Sequence, residues 1–172
     1  MVEFIEMRKI ICFTLLIAVV AGCGAKVPTW DEINAMVDGG EYKSKIDEAI
    51  KQAGPENHPA SKVVISYFEN LFSGKYDEAW SQIEKNSPFQ TARVSKEQMV
   101  EMFEKAKAEV DYKSARVISL SIMKKNANVR MVKVGFMLYV YDKLKKQDDT
   151  PIGSYTLSDL TGEWKIFDSE IK

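Results

Sequence analysis

Val129-Arg-Met-Val-Lys-Val-Gly-Phe-Met-Leu-Tyr-Val-Tyr141 carries apolar side chains at every second position. Side chains of a β-strand alternate between its two faces. Val132, Val134, Phe136, Leu138 and Val140 therefore share one face, and Met131, Lys133, Gly135, Met137, Tyr139 and Tyr141 the other. Both faces are substantially apolar, which predicts a central strand covered on each side. Gly135 in its middle predicts a bend or bulge. Upstream, residues 115–125 are rich in strand formers, with Val117, Ile118, Leu120 and Ile122, and Asn126-Ala127-Asn128 supplies turn chemistry. Downstream, residues 143–150 read as a charged hairpin end and residues 152–160 as a weakly alternating strand. Thr161-Gly162 turns the chain, and Trp164-Lys-Ile-Phe167 forms the last strand. Four strands joined by short turns make an antiparallel meander.

The sequence before residue 115 has a different period. Thr29-Trp30-Asp31-Glu32 has the form of a capping box, with Ile33, Met36 and Val37 as the apolar side of a short helix that Gly39-Gly40 stops. Tyr42, Ile46, Ala49, Ile50 and Ala53 recur at helical spacing up to Gly54-Pro55. Residues 55–60 read as a loop that leaves His58 exposed. Ser61 then caps a helix faced by Val64, Phe68 and Leu71, and Tyr76, Ala79, Trp80 and Ile83 mark another. Ser95 with Gln98 forms a second capping box, opening a helix with Met99, Met102, Phe103 and Ala106 that fades near Asp111. Helices first and strands after give an α+β plan, with N-terminal helices packed on a curved four-stranded antiparallel sheet.

Composition bounds the function. A chain of 172 residues is about one domain. Its 45% apolar and 28% charged residues suffice for a buried core. The 24 Lys and Arg against 25 Asp and Glu give a net charge of −1. Nucleic acid is not an expected partner, because phosphate binding draws on clustered cations. One His and two Cys leave little for a zinc site or a histidine relay. Asp148-Asp149 and Asp38-Gly-Gly-Glu41 lack the ligand spacing of a calcium loop and read as solvated turns. No metal and no cofactor is expected. Lys143-Leu-Lys-Lys146 reads as a solvated hairpin tip.

The first residues read as an address. From Ile10 to Ala21 the chain has no charge, after Arg8 and Lys9. Such a run is short for a membrane span and has the length of a signal-peptide hydrophobic region. Met7 begins the cleaner signal, since Glu3 and Glu6 offset the cations behind it, so translation is expected to start there. Val20-Ala21-Gly22-Cys23 resembles the bacterial lipobox. That resemblance implies acylation of the Cys23 thiol, cleavage between Gly22 and Cys23, and anchoring by several acyl chains, which hold where one chain is marginal. Residues 1–22 are then the signal peptide and 23–28 a tether. Cys12 leaves with the signal, so no thiol chemistry remains in the mature domain. Gly24 in place of Asp points to the outer membrane, facing the periplasm, in a diderm organism.

Residues 60–80 end in Phe72-Ser-Gly-Lys-Tyr-Asp-Glu-Ala-Trp80, and the chain closes with Thr161-Gly-Glu-Trp-Lys-Ile-Phe167. Both stretches resemble nuclear transport factor 2-like (cystatin-like, cone-shaped) domains, and among them bacterial lipoproteins that carry this domain. The resemblance implies a cone over residues 60–172, with residues 29–55 as an added helical segment. It also implies a mouth able to hold a small apolar molecule. Phe68, Trp80, Phe103, Phe136, Tyr139 and Trp164 are candidates for lining that pocket, although the same residues also serve a core. The leading expectation is a non-enzymatic, lipid-anchored envelope protein that binds a partner protein or a small apolar ligand. The alternative is a pocket enzyme of isomerase or dehydratase type using Asp111 or Asp168 with a nearby Tyr. An assembly or immunity factor is a third class. No catalytic residue is assigned.

Overall fold

The structure, a computed structural model, describes residues 26–85, 87–88, 95–126 and 129–171. The signal segment 1–22, Cys23, Asn86, Ala127 and Asn128 lie outside the described residues.

Thr29 caps α1 (Trp30–Asp38) through the expected box. Its Oγ1 accepts the Glu32 N–H, and the Glu32 carboxylate accepts the Thr29 N–H, which satisfies donors that a helix start leaves open. Helix α2 (Lys43–Ala53) follows and ends at Gly54, whose φ of 79° suits glycine. A 3₁₀ turn (Pro55–Asn57) leads into α3 (Pro59–Phe72), then α4 (Tyr76–Ser81) and α5 (Lys96–Glu109). Ser95 and Gln98 form the second capping box.

Two helix boundaries differ from expectation. His58, not Ser61, caps α3, because Pro59 occupies the first helical position, where its missing N–H costs nothing. Ser61 is buried and donates to the Pro55 carbonyl at 2.7 Å. Ile83 is not helical. It pairs with Ile166 in a parallel bridge, with the Glu84 N–H on the Ile166 carbonyl and the Ile166 N–H on the Gln82 carbonyl. Burial of both isoleucines against the core outweighs a further helical turn.

The strands are β1 (Val110–Asn126), β2 (Val129–Asp142), β3 (Gln147–Asp149), β4 (Ile152–Ser158) and β5 (Lys165–Ile171). They form one antiparallel sheet in the order β1-β2-β4-β5, with β3 on the far end of β2. β2 is central, as its pattern predicts. β1 begins well ahead of residue 115, because Val110, Asp111 and Tyr112 pair with Asp142, Tyr141 and Val140. Asp111, expected to close the preceding helix, is thus the second residue of a strand. Asp148 and Asp149, expected in a turn, lie on β3. The irregularity expected at Gly135 is present, with the extra residue, Ile118, carried by β1 between Val117 and Ser119.

The inner face of the sheet carries Val117, Leu120, Val132, Val134, Phe136, Tyr155 and Leu157. They pack with Val64, Tyr67, Phe68 and Leu71 of α3 in one hydrophobic core. Ile33 of α1 and Ala49 and Ile50 of α2 belong to the same core, so residues 29–55 are built into it. The outer face departs from the expected double cover. Met131, Met137, Tyr139 and Tyr141 are only half-buried, and Ile118 and Ile152 remain 42% and 48% exposed.

Candidate functional site

Helices α3 and α5 end close to the start of β1, and a cleft of about 330 Å³ opens there. Glu69, Phe72, Ser73, Lys107, Asp111 and Tyr112 line it. Phe72 and Tyr112 stack face to face, with centroids 4.3 Å apart and planes 6° apart. Phe103 meets Phe72 edge-on at 6.1 Å. Burial pushes the Tyr112 hydroxyl above the ordinary tyrosine range, and the negative charge of Glu69 adds to it. At the rim, the Lys143 ammonium lies 2.9 Å from the Asp111 carboxylate and donates to the Lys107 carbonyl at 2.8 Å. Lys107 in turn reaches Glu104 at 3.3 Å and the Tyr76 hydroxyl at 3.4 Å.

This cleft combines an aromatic wall with a rim of paired charges, an arrangement suited to holding a small molecule with both apolar and polar parts. The two carboxylates considered for acid–base work are differently placed. The Asp111 side chain is 64% exposed and ion-paired with Lys143. Asp168 sits within β5 opposite Thr156, exposed, and accepts the Ser169 N–H at 2.8 Å.

The six aromatic candidates do not line one cavity. Phe68 and Phe136 touch inside the core at 4.8 Å, and Tyr155 lies against both at 5.7 Å and 4.9 Å. Tyr67 closes the group, 5.6 Å from Tyr155, and donates its hydroxyl to Met99 Sδ at 3.7 Å. Burial raises the pKa of both tyrosines. These four rings pack together between α3 and the sheet. Trp80 and Phe103 are half-buried at the edge of the core. Tyr139 lies across from Ser114, in the half-buried outer row. Trp164 packs against His58 instead.

His58 is the main correction. Expected to be exposed in a loop, it is 3% exposed. Its imidazole stands between Trp30 of α1, at 4.6 Å, and Trp164 just before β5, at 5.2 Å, in edge contacts with both. Nδ1 accepts the Ala60 N–H at 3.1 Å and so caps α3. Burial lowers its pKa to about 4. The proline after His58, followed by an amphipathic run, was the local signal of a helix cap. The two tryptophans around it are remote in sequence and gave none. Tyr67, Glu69, Lys107 and Tyr155 carry no local signal either, because only the fold sets them beside their partners. Gly22 and Cys23 lie outside the described residues.

No family model matches the chain, and no characterised protein sequence matches it. Among solved structures it is similar to a protein described as a calcium/calmodulin dependent protein kinase II association domain from Xanthomonas campestris. That likeness has a TM-score of 0.46 and 15% identity, over 67% of this chain and 88% of the other. It is similar also to the beta subunit of the benzoate 1,2-dioxygenase from Burkholderia mallei, with a TM-score of 0.46 and 10% identity, over 66% and 89% of the two chains. A helical cell shape determining protein from Campylobacter jejuni gives a TM-score of 0.45 and 13% identity, over 73% of this chain and 41% of that one.

Proposed function

We propose that this chain is a lipid-anchored protein of the bacterial cell envelope. Acylated at Cys23, it acts by binding a partner protein or a small apolar ligand through a nuclear transport factor 2-like, cone-shaped domain. The observation that carries the reading is the sequence Arg8-Lys9, the uncharged stretch from Ile10, and Val20-Ala21-Gly22-Cys23. A thiol is a nucleophile able to take a diacylglyceryl group, and the small residues before it let a peptidase reach the backbone. The α+β order of helices followed by a meandering antiparallel sheet supports the domain assignment. The rings of Tyr67, Phe68, Phe136 and Tyr155 pack together in the core, and the Phe72–Tyr112 cleft offers a surface site for binding.

The anchor is tested by expressing the full chain in bacteria fed a radiolabelled fatty acid. The expected result is label on the wild-type protein, recovery with membranes, and loss of both in Cys23→Ser. Label that persists in Cys23→Ser would end the proposal.

A further inference from the structure

His58 joins three elements: it caps α3, Trp30 of α1 packs on one side of it, and Trp164 before β5 packs on another. We propose that His58 is an acid-sensitive latch, and that proton uptake on its imidazole releases α1 from the junction of α3 with β5.

The geometry requires a neutral ring. A neutral imidazole has one acceptor nitrogen, and protonation makes both nitrogens donors. Nδ1 is the acceptor of the Ala60 N–H, so a proton there sets one donor against another and removes the cap. The new charge would also stand at the N-terminus of α3, where the helix dipole is already positive. It would be enclosed by two indoles and withdrawn from water, which disfavours a charge. The ionisable neighbours offer no relief. Asp31 and Glu32 on α1, Glu56 on the 3₁₀ turn, Lys62 on α3 and Glu163 before β5 are exposed, and Lys165 on β5 is half-buried. Glu32 is engaged by Lys26 and Thr29, and Glu163 lies 4.0 Å from Lys165. Glu84, beside the start of β5, accepts the Lys85 N–H. Burial alone lowers the pKa of His58, to about 4.

The linkage has one sign. Above the ordinary histidine pKa the ring is neutral whether α1 is docked or not, and pH has no effect through it. Below that value the released state takes up the proton first, so acid favours release. With the His58 pKa at about 4 docked and near 6.5 released, the release equilibrium rises by about 80-fold between pH 6.5 and pH 4. Helix α1 is the element that yields. It contributes Ile33 to the core, whereas α3 contributes Val64, Tyr67, Phe68 and Leu71.

The chain has one His and three Trp, so NMR on the full chain in detergent micelles resolves the latch residue by residue. Between pH 7.5 and pH 4, the imidazole signal is expected to titrate below its ordinary value. The Trp30 and Trp164 indole signals should move in step with it, while Trp80 stays in place. His58→Asn keeps an acceptor for the cap and has no titrating group in this range, so it should hold Trp30 unchanged. The proposal is overturned if the imidazole titrates near pH 6.5 with Trp30 unmoved, or if all three indoles change together in a global unfolding. It is overturned equally if Trp30 still moves at the same pH in a folded His58→Asn protein. Should that variant not fold, the wild-type titration decides alone.

Discussion

A methyl group added at residue 135 would overlap Ser119 Oγ on the neighbouring strand. The glycine is therefore a matter of close approach between β1 and β2, where the bulge at Ile118 presses Ser119 across the gap. Gly153 plays the same part on β4, since a Cβ there would lie 2.7 Å from Cζ of the buried Phe136 ring. Overpacking of this kind costs roughly 1–3 kcal/mol. Gly135→Ala is expected to lower the urea midpoint accordingly, and adding Ser119→Gly should recover much of the loss by vacating the same space. Equal loss in the single and double variants, measured by chemical denaturation, would show that Ser119 is not the obstacle. The sequence pointed to an irregularity at Gly135, because a glycine inside an apolar strand is a local anomaly. It did not point to Ser119, whose position depends on the register between two strands.

Among whole elements, what was legible follows from how local the deciding interaction is. Helices α1 and α5 start where their capping boxes predict, since a box is closed within four residues. Strand β2 follows from its own alternation. The start of β1 at Val110, the parallel bridge of Ile83 and the burial of His58 were not legible. Each is decided by a partner on a distant element: β2, β5, and the pair Trp30 and Trp164. The candidate site has the same character, because Phe72 closes a helix and Tyr112 opens a strand far along the chain before they stack. The local class of interaction can be measured on α5. Ser95→Ala removes the acceptor for the Gln98 N–H and should cost about 1 kcal/mol. Met102→Ala on the same helix, at a side chain 62% exposed, should stay within about 0.5 kcal/mol. Thermal unfolding of the two variants side by side checks the contrast, and a larger loss for Met102→Ala would mean that something covers that face.

For the molecule as a whole, the question is whether residues 29–55 behave as an appendage or as part of one folding unit. Ile33 is fully buried, and Ala49 and Ile50 join it in the core that α3 and the inner face of the sheet build. His58 adds a second tie, through Trp30 and Trp164. An appendage would melt separately from the sheet, whereas elements sharing a core unfold together. Tryptophan fluorescence, weighted by Trp30 and Trp164, reports on the junction, and far-UV circular dichroism reports on the helices and sheet at large. At neutral pH, where the His58 ring is uncharged, the two signals are expected to trace a single coincident urea transition. A chain shortened to begin at residue 56 should unfold at clearly lower urea, because the sheet then exposes the apolar surface that Ile33 and Ile50 cover. Two separated transitions in the full chain, with the shortened chain retaining the later midpoint, would make the N-terminal helices an independent attachment and leave the sheet and the helices after residue 56 to stand by themselves.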